Sequence, residues 1–249
     1  MRFTWHQDAA CRGACKGWVA AVGVITADTP RLFEELAETR DLSGATVVLD
    51  SGGGSVLDAI ALGKRWRALK ISTSVGKTIE LPAADGKSSR AEIAPNAYCE
   101  SMCVFLLLSG VQRYVPPQAR VRVHQIWMGD RAEDAKAATY NAEDVTIIER
   151  DVGRLAHYTF DMGGTGELLA LALSVPPWEP LHELSVDELR RTNIATTDLV
   201  ADVLPQQPAG VPGIGLAVAT KPFLDRVAPD TRTAEARATG GLSPPNEPQ

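Results

Sequence analysis

Three short stretches of this chain carry residue types that could do chemistry together. The first is a glycine triplet, Gly52-Gly53-Gly54, directly after an apolar run. Glycine tolerates positive φ and lets another backbone approach closely. The amides of such a turn can hold an anion or a developing oxyanion. The second is Ser101, placed before the apolar stretch VFLLL. The third is His124, 23 residues further on, at the end of the β-prone run VRVHQI. A serine hydroxyl is a poor nucleophile until a base takes its proton, and histidine titrates near neutrality. A serine opening a helix also sits at the positive end of the dipole. The glycine turn alone fits a plain turn equally well. It is not a P-loop, because no GK[ST] follows Gly54.

The elements that must position these groups follow from patterning. GWVAAVGVIT (17–26) is an apolar, β-rich run, and Thr29-Pro30 supplies a helix start before RLFEELAETR. ATVVLD (45–50) reads as a strand buried on both faces. SVLDAIALGKRWRALK (55–70) is an amphipathic helix with Val56, Ile60, Leu62, Trp66 and Leu69 toward the core, and ISTSV (71–75) is the next strand. This alternation predicts an α/β fold with parallel strands. Residues 76–97 differ: TIEL and AEI flank Asp85-Gly86, which predicts an inserted hairpin. YCESMCVFLLLSG (98–110) reads as a buried helix and residues 131–162 as a long one, with an apolar stripe through Val145, Ile148, Val152, Leu155 and Met162. Ser185 to Glu188 forms a capping box opening a short helix, and NIATT and LVADVL are β-prone. The expected organisation is a Cys-containing segment at 1–16, a domain at 17–204 and a Pro/Gly-rich, partly disordered tail at 205–249.

Cys11 and Cys15, and Cys99 and Cys103, repeat one i, i+4 spacing. Buried thiols and disulfides of an oxidising compartment are both open readings. On a helix that spacing gives a separation of about 6 Å, near the limit for a disulfide. Zinc is disfavoured, because neither pair has a histidine placed to complete a site. A net charge of −6 without any basic block argues against a nucleic-acid partner. No apolar run approaches the roughly 18–20 residues of a spanning helix. Met1 to Gln7 has no apolar signal core, so the chain is expected to be cytoplasmic or to start after a removed signal.

Taken in order, DSGGGSV (50–56), YCESMCVFLLLSG (98–110) and VRVHQ (121–125) resemble the ClpP serine peptidases of the ClpP/crotonase superfamily, and more closely the bacterial periplasmic ClpP-like proteins. The resemblance runs from about residue 17 to 204. It implies a layered ClpP/crotonase-type sheet with surrounding helices, a peptide or protein substrate, a homo-oligomer and no cofactor or metal. By position it makes Ser101 the nucleophile and His124 the general base. It assigns oxyanion amides to Gly54 and Met102, with Gly53 shaping the turn. Cysteines flanking the serine and a CxxxC segment before the first strand also match, which favours a periplasmic location. Where the family carries its acid this chain has Leu181, and Glu179 is the carboxylate left to orient His124. Gly52 replaces the family's proline, and Glu100 stands beside the nucleophile where small residues are usual. A non-catalytic scaffold of the same fold and a crotonase-like acyl-CoA enzyme are the alternative readings.

Overall fold

Short apolar runs separated by amphipathic helices can bury both faces of a sheet, and the chain does so around one core. A computed structural model describes residues 1–7, 17–82, 89–129, 136 and 139–204. Cys11, Cys15 and the 205–249 tail lie outside the described residues.

The main sheet has five strands. β1 (Arg2–His6) pairs antiparallel with β2 (Trp18–Val22), which runs parallel to β3 (Thr46–Asp50). β4 (Ser72–Val75) and β8 (Arg113–Tyr114) continue the parallel series, giving the order β1-β2-β3-β4-β8. The crossovers are α1 (Thr29–Thr39) and α2 (Val56–Ala68), the latter capped by Ser55. Leu62 and Trp66 of α2 are fully buried, while Val56, Ile60 and Leu69 pack at the core's edge.

The insertion is a hairpin, β5 (Lys77–Pro82) antiparallel to β6 (Ser89–Ala94), tied to the main sheet where Trp18 Nε1 donates to Thr78 Oγ1 at 2.9 Å. A second sheet holds β7 (Tyr98–Glu100) parallel to β9 (Arg120–Val123), with β10 (His182–Glu183) antiparallel on the far side of β9.

Between the sheets runs α3 (Met102–Leu108), all seven of whose residues are buried. Arg67 caps its C-terminal end, donating to the carbonyls of Leu108, Ser109 and Gly110 and also to that of Met162. α4 (Ala142–Asp161) packs against α2 and against α5 (Gly166–Leu173), and α6 (Val186–Arg191) and α7 (Val200–Val203) are the last helices of the described residues. Tyr158 of α4 is buried against Gly63 of α2 and donates to Phe105 O at 2.9 Å. Among the described residues, no helix is long and apolar enough to cross a membrane.

The α/β class and the inserted hairpin agree with the sequence reading, but several elements differ from it. Residues 98–100 are a strand rather than the start of a helix, because Tyr98 to Glu100 pair with β9 before the chain turns at Ser101. The long helix begins only at Ala142, where Asn141 and Asp144 form a reciprocal capping box. NIATT forms no strand, and Val200–Val203 within LVADVL are helical. The main sheet also reaches back to Arg2.

Candidate active site

The glycine turn is the seam between the two sheets. Leaving β3, Ser51 bridges to Cys99, with Ser51 N–H donating to Tyr98 O and Glu100 N–H to Ser51 O, both at 3.0 Å. Gly54 then bridges to Ile25: Ile25 N–H donates to Gly53 O at 2.8 Å and Ser55 N–H to Ile25 O at 3.0 Å. In a planar trans peptide the C=O and N–H point opposite ways. Since Gly53 C=O faces Ile25, the Gly54 N–H faces away from it.

Both glycines are sterically required. Gly53 has φ +88, and a Cβ there would lie 2.7 Å from Glu100 O and Ser101 Cβ and 3.0 Å from Met102 N. Gly54 has φ +140, and its Cβ would fall 2.1 Å from Ile25 O. The Gly53 backbone therefore lies directly against Ser101 and the first amide of α3. That amide, Met102 N–H, is a first-turn donor with no partner inside its helix.

Ser101 is the corner between β7 and α3. Its φ of 54° and ψ of −125° lie in a region that a residue with a Cβ rarely enters. Its N–H donates to Arg122 O at 2.9 Å. The nucleophile candidate is thus tied to β9 two residues before His124. On either side of it Cys99 and Cys103, both fully buried, form a disulfide with a Cα–Cα distance of 5.2 Å. The turn at Ser101, rather than a continuous helix, brings the two cysteines within this range.

His124 follows β9. Its Nδ1 is 2.7 Å from Gln125 O, an atom that can only accept, so the proton sits on Nδ1 and Nε2 carries the lone pair. The Trp127 indole packs on the ring, with centroids 4.3 Å apart, and its own Nε1 is buried without a hydrogen-bond partner. Ser101, His124, Gly54 and Met102 line a single cleft of about 880 Å³. Its walls are largely apolar, with Phe105 of α3, Ile148, Val152 and Leu155 of α4 and Leu169 of α5. Three residues of the expected α4 stripe, Ile148, Val152 and Leu155, therefore line the cleft, whereas Val145 is exposed.

Glu179 also borders the cleft but is solvent-exposed, at the rim beside Trp178. Glu100 is buried, its carboxylate 3.0 Å from Arg122 Nη1, so its charge is balanced next to Ser101. Asp50, just before the glycines, accepts from Tyr98 N–H, has a buried Oδ1 without a partner, and is pushed by burial above the ordinary carboxylate range.

Arg122 and the Gln125 carbonyl carry no signal in the sequence, whereas Trp127 reads there as a packing residue. Arg122 and Trp127 flank His124 closely, but strand pairing and a backbone acceptor leave no mark on residue type. Among the described residues, no group of three or more His, Cys, Asp or Glu side chains could hold a metal ion. Compared with models of known protein families and with curated proteins, the chain matches none.

Proposed function

We propose that the protein is a serine hydrolase of the ClpP-like type, acting on peptide or protein substrates through an acyl-enzyme on Ser101. The observation that carries this reading is the left-handed Ser101 at a strand-to-helix corner, packed against Gly53 and sharing one cleft with His124. His124 Nε2 takes the Ser101 proton as Oγ attacks the substrate carbonyl, and the resulting imidazolium gives it to the leaving group. Water then enters and attacks the acyl carbonyl as it gives a proton to the same nitrogen, and Ser101 Oγ leaves and takes that proton back, which frees the acid product. The amides of Gly54 and Met102 are the donors for the oxyanion. The Gln125 carbonyl takes the part an acid plays in other triads, holding the Nδ1 tautomer. The Cys99–Cys103 disulfide supports an oxidising compartment such as the periplasm. Assembly into a homo-oligomer belongs to the same reading.

The test is labelling by a fluorophosphonate, which reacts with activated serines. Wild-type protein is expected to label, and Ser101→Ala to lose the label while melting like the wild type. Equal labelling of the alanine variant removes Ser101 from the mechanism. An unlabelled, folded wild type leaves the scaffold reading instead.

A further inference from the structure

The proposed chemistry makes no use of the disulfide that straddles its nucleophile. Cys99 lies in β7, two residues before Ser101, and Cys103 lies in the first turn of α3. The bridge closes a loop over Glu100, Ser101 and Met102, the middle member of which holds φ 54°. Such a conformation persists only where its surroundings over-determine it. On the strand side they do: Ser101 N–H is held by Arg122 O, Glu100 N–H by Ser51 O, and the Glu100 carboxylate by Arg122. On the helix side stands a seven-residue helix, too short to be stable by itself. A small retreat of that helix would let Ser101 return to negative φ. The covalent link from β7 to the first turn of α3 forbids that retreat.

We propose that the Cys99–Cys103 disulfide is a clamp that holds Ser101 in its left-handed corner, which makes the two cysteines positioning residues for the nucleophile. The catalytic consequence rests on the hydrolase reading, whereas the clamp itself does not. With both sulfurs in the core, the clamp is a permanent brace rather than a surface switch.

Ser101→Gly and Ser101→Ala both lack the hydroxyl and differ in the Cβ that makes positive φ costly. With the disulfide intact, the glycine variant is expected to melt about 3 °C above the alanine variant. In a background of Cys99→Ala with Cys103→Ala, that gap is expected to vanish or reverse, because a released corner no longer imposes positive φ. An equal gap in both backgrounds overturns the clamp. So does equal melting of the two variants with the disulfide present, a comparison that needs no cysteine variant to fold. With Ser101 retained, the C99A/C103A protein is expected to melt cooperatively yet react with a fluorophosphonate about 100-fold more slowly. An unchanged labelling rate overturns the positioning role. If the wild type does not label, the hydrolase reading falls while the melting comparison still decides the clamp.

Discussion

At the scale of single residues, the question is what orients His124. A base whose tautomer is wrong can cost a serine protease on the order of 10⁴ in turnover. Among the described residues two candidates can be compared. Glu179 offers a carboxylate, but it stands exposed at the cleft rim. The Gln125 carbonyl lies 2.7 Å from Nδ1, a full-strength contact that needs no side chain to be ordered. Trp127 adds packing on the ring face. If the carbonyl does this work, Glu179→Gln leaves the fluorophosphonate labelling rate within about twofold. A loss of tenfold or more, about 1.4 kcal/mol in the barrier, would return the third role to the carboxylate.

At the scale of elements, the site exists because two sheets meet at a turn without side chains. Gly54 carries the seam: its bridge to Ile25 fixes the first sheet's loop, and its neighbour Gly53 backs onto Ser101. Gly54→Ala places a Cβ 2.1 Å from the Ile25 carbonyl at φ +140, where the neighbour is backbone and cannot swing aside. The expected cost is about 3 kcal/mol or more, read as a lower urea midpoint, together with slower labelling of Ser101. A variant with wild-type stability would mean that the bridge to Ile25 does not form.

Much of this level was legible in the sequence. The strands at 46–50 and 72–75 and the helix between them announce themselves by apolar runs and by the Ser55 cap. The three site motifs stand out because glycine, serine and histidine are unusual beside buried segments. What was hidden depends on partners distant in the chain. Tyr98 to Glu100 read as helical beside VFLLL, and only pairing with β9 makes them a strand. β1 is five residues long with Arg2 and His6 at its ends, so its inward Phe3 and Trp5 gave too short an alternation to recognise. The long-helix reading overran its start at residues 139–141, where Asn141 caps the helix; residues 131–135, 137 and 138 lie outside the described residues.

At the scale of the whole molecule, stability against pH gathers opposing contributions. Glu188 is held below the ordinary carboxylate range, chiefly by the Ser185 N–H and also by the Ser185 hydroxyl and His182. A depressed acid stabilises the fold above its unfolded value, and that stabilisation is lost as pH falls through the lowered one. Asp50 has the opposite sign. Burial raises its carboxyl, while Tyr98 N–H and Lys77 offset only part of the cost. Between the unfolded and the raised value, the folded chain binds the extra proton. Stability therefore falls as pH rises through that window, and the full cost of the charge is present above it. Asp50→Asn removes the charge beside the glycine turn. It is expected to stabilise the protein at pH 7 by about 1 kcal/mol, the low end for an unpaired buried polar atom, since Tyr98 can still donate to the amide oxygen. The gain should shrink steadily with acidification and be gone once the medium is below the ordinary carboxylate range, where Asp50 is protonated in both states. Thermal unfolding of both proteins between about pH 3 and pH 8 measures it, the lower limit lying just under the reference value for an aspartate. A gain that persists unchanged at the acid end would assign the effect to packing at the seam rather than to the Asp50 charge.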